Sequence, residues 1–280
     1  MKHLTHSSIK TLRRCPYMYK LSYVDKIKES THSEALNFGS MFHDALEHGE
    51  VRQPGYTYML PEEFALLQKK VTALYVGYTR YWGDTFETVD RELEFSVDIG
   101  HPVYKLAGKI DRVIKSGNGY AVLETKTTGS DIKPGSDYWK QLRNDPQVTT
   151  YAYALTQLGY PCNEIQYDVI KRPTINVRKN DTVDEYIARL CKDITSRPEF
   201  YFQRTQVPRL DDDFKRFKED TYMEAEVLAL RESQGLFPRS AQCRQPFKCR
   251  FIDICNSPDD ALPGGFYYAE KQHSELSIGD

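Results

Sequence analysis

Residues 108–127, GKIDRVIKSGNGYAVLETKT, constrain the fold more than any other stretch. Two apolar runs flank Ser116-Gly117-Asn118-Gly119, a turn signal that pairs them as a β-hairpin. Strand interiors disfavour Asp, Glu and Lys, yet Asp111, Glu124 and Lys126 interrupt the runs. Directly opposed residues of a hairpin share a face. A Gly117-Asn118 loop sets Asp111 across from Glu124, and an Asn118-Gly119 loop sets it across from Lys126. Either register crowds all three onto one face. Two carboxylates about 4 Å apart repel by about 4 kcal/mol at an effective dielectric of 20. Such a pair persists by sharing a proton, by meeting a cation, or both. Lys126 supplies one positive charge, and Mg²⁺ or Mn²⁺ suits an oxygen-rich site of this kind. From the hairpin alone, a solvated face on an edge hairpin is the plain alternative.

The rest of the pattern sets this hairpin in an α/β chain. Apolar spacing predicts helices over 7–24, 33–48 and 61–82, the second opened by a Thr31/Glu34 capping box and closed by Gly49. ELEFSVDI then alternates as a half-buried strand does, giving three consecutive antiparallel strands with the hairpin. In DPQVTTYAYALTQLG, Asp145 is the N-cap, Pro146 takes the first helical position and Gly159 ends the run. EIQYDVI is a fourth strand, and helices are expected over 181–194 and 212–233. Four segments follow: an N-terminal helix (1–32), a core (33–175), C-terminal helices with a cysteine segment (176–262) and a tail (263–280).

With 38 basic against 40 acidic side chains in 280 residues, the formal charge is −2. That balance excludes a global attraction to nucleic acid, so any such binding comes from local patches. No apolar run approaches the roughly 18 residues of a membrane span, and MKHLTHSSIK lacks a signal peptide's apolar stretch. A cytoplasmic, reducing setting is expected, so the six cysteines are not read first as disulfides.

With these residues assembled, the chain resembles the PD-(D/E)XK nuclease superfamily, in its RecB-like branch. GKID resembles the G-x-I-D motif (Asp111), LETK the (D/E)-x-K motif (Glu124, Lys126) and QVTTY the Q-x-x-x-Y motif (Gln147, Tyr151). FGSMFHDALE resembles the G-x-x-x-H motif (Gly39, His43). All four stand in the family's order. The resemblance implies a restriction-endonuclease-like mixed sheet flanked by helices, with added terminal helices. It implies Asp111, Glu124 and His43 as ligands of Mg²⁺ or Mn²⁺, with the Leu123 carbonyl as a further ligand. Lys126 would act on the attacking water, with Gln147 and Tyr151 positioning the strand.

Cys243, Cys249 and Cys255 are evenly spaced, unlike the close C-x-x-C pairs usual in zinc modules. With Cys15 they resemble the iron–sulfur clasp of RecB-like nucleases, including phage proteins and CRISPR-associated exonucleases. Four thiolates are the usual ligands of a 4Fe–4S cluster. A Zn²⁺ site on the same four thiols, or free buried thiols, are the alternatives. Cys162 and Cys191 are read as core cysteines.

Basic residues interleaved with aromatics suit unpaired bases and their phosphates. Arg13 and Arg14 lie beside Tyr17, and Lys171 and Arg172 open a second cluster. The resemblance thus implies a bacterial or phage DNA exonuclease acting in DNA processing or recombination. Its partner would be DNA that is single-stranded or has free ends, with a helicase or recombination protein left unnamed. The other readings are a catalytically silent iron–sulfur nucleic-acid-binding protein and an endonuclease of the same superfamily.

Overall fold

The computed structural model describes residues 1–30, 34–52, 59–83, 85–244, 248–257, 262–273 and 276–277. The chain opens with β1 (Lys2–Leu4), α1 (His6–Arg14), α2 (Pro16–Tyr19), a π-helical turn (Lys20–Val24) and β2 (Ile27–Glu29). Two longer helices follow, α3 (Glu34–His48) and α4 (Pro61–Trp82). Next come β3 (Thr88–Asp98), β4 (Tyr104–Ser116), β5 (Gly119–Thr128), α5 (Asp137–Arg143), α6 (Pro146–Gln157) and β6 (Cys162–Lys171). The remainder is α7 (Val183–Ser196), α8 (Pro198–Tyr201), β7 (Phe202–Pro208), α9 (Asp211–Gln234), α10 (Ile252–Asn256) and β8 (Phe266–Tyr268).

Six of the described strands form one mixed sheet, the kind the resemblance implies, with β1 and β7 added to the four strands that the sequence pattern predicts. β4 pairs antiparallel with β3 and β5 and parallel with β1, while β6 lies parallel to β5 and antiparallel to β7. The sheet therefore takes its first strand from ahead of residue 33 and its last from beyond residue 175. Two apolar clusters sandwich it. Leu12 of α1, Val148 and Leu155 of α6 and Leu228 of α9 join Leu106, Val122 and Ile165 of the strands. Phe42 of α3, Leu74 of α4, Leu190 of α7 and Tyr201 of α8 join Ile170 and Phe202. A third, smaller cluster gathers Met18, Leu21, Ile27, Cys249 and Phe251 from the two ends of the chain, where β2 also pairs with β8. No described helix is long and apolar enough to cross a membrane.

Two expectations change. The helix predicted over 7–24 breaks at Cys15, whose φ of −162° and ψ of 115° are extended. Pro16 is the cause, because its ring disfavours the α conformation in the residue before it. Cys191, read as a core residue, is exposed. Thr31 of the expected capping box lies outside the described residues.

The contact between α4 and α7 depends on Gly77, where an added Cβ would collide with Ile194 Cγ2. Ile194 is β-branched and buried, so it has little room to yield. Gly77→Val is expected to lower the unfolding free energy by about 1–3 kcal/mol in denaturant titration. An unchanged midpoint would show that the two helices do not meet there.

Candidate active site

One edge of β4 is paired with β3. The other is shared, with β1 beside Tyr104–Leu106 and β5 beside Arg112–Ser116. Residues 107–111 have neither neighbour on that edge. The hairpin adopts the Gly117-Asn118 loop, with Ser116 opposite Gly119 and Gly117 at φ +52°. The last ladder pair is Arg112 and Leu123, so the next residues in register are Asp111 and Glu124. They come side by side where the two strands part.

Glu124 is 2% exposed, and its Oε2 has no hydrogen-bond partner among the described residues. Its Oε1 meets Lys126 Nζ at 2.7 Å. Burial, reinforced by Asp111 and opposed by Lys126, pushes the Glu124 carboxyl up to about 7. Burial alone would lower the Lys126 ammonium, but Glu124 and Asp145 outweigh it and hold it above its usual value. Lys126 is thus a cation at neutral pH.

α6 fixes the far side of that ammonium. Asp145 caps the helix by accepting Gln147 N–H at 3.0 Å, and Pro146 starts it. Gln147, now oriented, accepts from Lys126 Nζ at 2.6 Å and donates to Tyr151 Oη at 2.9 Å. Tyr151, one turn further on, is buried with its ring edge-on to Phe95. The second oxygen of Asp145 stands 3.7 Å from Lys126 Nζ.

α3 approaches from the other side of the sheet. A Cβ on Gly39 would stand 3.0 Å from Thr127 Oγ1 of β5, so glycine permits the close approach. One turn later His43 Nδ1 lies 3.3 Å from Asp111 Oδ2. Burial works to lower this imidazole, but the Asp111 interaction prevails and raises it. His43, Asp111, Leu123 and Thr125 line a cavity of about 40 Å³ with Tyr78 and Arg112. Asp44, Glu47 and His48 form a separate acidic group at the exposed end of α3, where Arg52 pairs with Asp44.

The structure thus brings His43, Asp111, Glu124, Lys126, Gln147 and Tyr151 into one run of neighbouring polar and charged groups, with Leu123 lining the cavity beside His43 and Asp111. Two side chains that the sequence reading left out join them. Asp145 reads as a cap in sequence, and nothing in the linear pattern reveals that its free oxygen faces Lys126. His6 counts Asp145 and Lys126 among its charged neighbours.

Cys15, Cys249 and Cys255 share the third cluster's neighbourhood, and Cys249 N–H donates to the Cys243 carbonyl at 2.7 Å. Burial and the nearness of Cys249 and Cys15 raise the Cys255 thiol, with Arg239 opposing. Burial would also raise Cys15, but the backbone N–H groups of Met18 and Tyr17 together with Ser240 prevail and lower it.

The predicted nucleic-acid contacts are dispersed. Arg13 pairs with Glu224 at 2.8 Å, and the Tyr17 ring lies under Arg239. Arg14 reaches toward the Gln242 carbonyl. Lys171 is buried, its ammonium donating to the Gly129 and Ser130 carbonyls and so bracing the loop after β5. Arg172 lies over Gly129, where a Cβ would meet its Nη2 at 3.0 Å.

A family model described as the PD-(D/E)XK nuclease superfamily matches residues 3–256. No curated protein matches the chain. Among solved structures, the chain is similar to a candidate exonuclease from Eubacterium rectale. That likeness has 14% identity and a TM-score of 0.57, and covers 94% of this chain and 91% of the other. A phage-related exonuclease from Haemophilus somnus matches at 16% identity and TM-score 0.31, over 68% of this chain and 81% of its own. An alkaline exonuclease from Laribacter hongkongensis matches at 9% identity and TM-score 0.31, over 83% and 93%. The first likeness shows a shared fold, and the other two are too distant to carry an argument.

The raised Glu124 carboxyl sets a pH dependence. The folded state keeps its proton up to about 7, whereas the unfolded chain releases it near the usual 4.5. Its contribution to stability is therefore complete below 4.5 and is lost as pH rises through 7. In a chelating buffer, wild-type protein should lose about 1–3 kcal/mol more unfolding free energy than Glu124→Gln between about pH 5 and about pH 8. Parallel stability curves for the two proteins would show that Glu124 ionises normally.

Proposed function

Because the chain belongs to the PD-(D/E)XK nuclease superfamily, we propose that it is a divalent-metal-dependent deoxyribonuclease. It acts as an exonuclease on single-stranded DNA or free DNA ends. The observation that carries this reading is Glu124: a buried carboxylate beside Asp111, with one oxygen lacking any partner among the described residues. A buried acceptor in that condition calls for a cation or a proton. Asp111, Glu124 and His43, with the Leu123 carbonyl, offer the hard donors that suit Mg²⁺ or Mn²⁺. Such an ion supplies Lewis-acid activation of water and neutralises charge developing on the phosphate.

The remaining roles belong to side chains. Lys126, kept cationic by Glu124 and Asp145, donates to a phosphate oxygen or orients water and does not serve as the base. Gln147 holds that ammonium in place, and Tyr151 holds Gln147. Such preorganisation lets the cation meet developing charge without first reorganising.

The finer reading is a RecB-like enzyme with a 4Fe–4S cluster on Cys15, Cys243, Cys249 and Cys255. The lowered Cys15 thiol and the nearness of Cys249 and Cys255 support thiolate ligation. A cluster here would join the two ends of the chain and hold α1 beside the cleft.

The test is digestion of end-labelled linear and closed circular single-stranded DNA with Mg²⁺, Mn²⁺ or chelator. Linear DNA should shorten from an end with either metal, circles should survive, and chelator should stop the reaction. Glu124→Ala and Asp111→Asn should abolish cleavage while retaining DNA binding, and Lys126→Ala should slow it by about 10²–10³-fold. Cut circles would point to an endonuclease. Binding without any cutting by wild-type protein would point to a silent nucleic-acid-binding protein. Metal analysis after anaerobic purification should find iron and acid-labile sulfide, and zinc in their place would overturn the cluster.

A further inference from the structure

The free stretch of β4 edge, residues 107–111, is approached from two sides. β5 arrives from one. From the other, β1 runs parallel to β4 with Leu4 beside Leu106, so the residues after Leu4 advance toward Asp111. Thr5 ends that strand and caps α1. Its Oγ1 accepts Ser8 N–H at 3.1 Å, and Ser8 Oγ accepts Thr5 N–H at 3.0 Å. This reciprocal capping box fixes where the helix begins, and His6 is its first residue.

α1 then packs on α6, the helix of Asp145 and Gln147, with Ile9 and Leu12 buried. His6, Lys10 and Arg13 follow one another at helical spacing and form a common face. Four charged groups lie near enough to the His6 ring to act on its charge. Asp145 and Lys126 come from the cleft, and Lys10 and Arg13 from its own helix. The ring itself is half-buried. A histidine that merely filled the core would lie among apolar side chains.

Resting on the nuclease reading above, we infer that His6 is a further substrate-contacting residue, whose imidazole donates a hydrogen bond to a phosphate oxygen of the DNA strand beside Lys126. Lys10 continues the same face one turn away, about 6 Å along the helix axis. The strand thus meets a neutral donor next to the reacting centre and a cation beyond it. Burial, opposed by Asp145 and aided by Lys10 and Lys126, pushes the imidazole down to about 4. It is therefore uncharged at neutral pH, with one ring N–H to give, and positions the strand without supplying a proton to the chemistry.

Steady-state cleavage of an end-labelled single-stranded oligonucleotide with Mn²⁺ tests the assignment, using wild type, His6→Ala and His6→Gln. His6→Ala should raise KM about 10-fold or more, the loss of a hydrogen bond to a charged group, and leave kcat within about 3-fold. His6→Gln, whose amide donates from nearly the same place, should restore most of the KM. The pH profile of kcat should be the same in all three. An unaltered KM in His6→Ala overturns the assignment. So does failure of His6→Gln to restore KM, or loss of one limb of the pH profile, which would make His6 a proton donor. Wild-type protein that cuts no DNA would sink the nuclease reading itself, whereas wild-type cutting with normal KM in His6→Ala sinks only this inference.

Discussion

Two carboxylates that would each rather be in water are held together where β4 and β5 separate. Asp111 and Glu124 are consecutive in register with a ladder that ends one pair earlier. Burial, reinforced by their mutual repulsion, explains the raised Glu124 carboxyl, and the surrounding groups can be read as responses to it. Lys126 answers from the same strand, His43 from α3, and Gln147 and Asp145 from the start of α6. Each responding element carries a local device for its placement. Gly39 lets α3 approach β5, and the Asp145 cap with Pro146 begins α6 at the residue that aims Gln147.

The cysteine region performs a different mechanical task. α1 runs from the cleft at His6 to Cys15, where Pro16 forces the chain out of helix. The same short rod therefore touches the charged cleft at one end and the thiol cluster at the other. Around that second end the early and late parts of the chain interlock. Tyr17 N–H donates to Pro238, Ser240 Oγ donates to Arg14, and β2 pairs with β8. Whatever fixes the thiols fixes the helix, and with it the rim of the cleft.

Much of this was written in local pattern. The hairpin, its charged residues and the capped helix carrying Gln147 and Tyr151 could be read because turn chemistry, period two and N-capping act over a few residues. The hairpin's register stood open between two loops, and Gly117 at positive φ decides it. What could not be read depends on distant packing. β1 is three residues long, too short for any periodic signal, and its partner lies a hundred residues away. The second role of Asp145, the position of His6 and the burial of Lys171 beneath a loop all follow from such long-range neighbours. Lys171 shows the limit plainly: a lysine in a basic stretch became a brace for carbonyl groups.

The remote pairing of β1 has a consequence for how the protein is made. Lys2–Leu4 cannot join the sheet until Tyr104–Leu106 have left the ribosome. At about 5–20 residues per second, that is a wait of about 5–20 s for the earliest strand. During that interval α6, against which α1 packs, has not emerged either, so the first helix waits for a partner made still later than the strand beside β1.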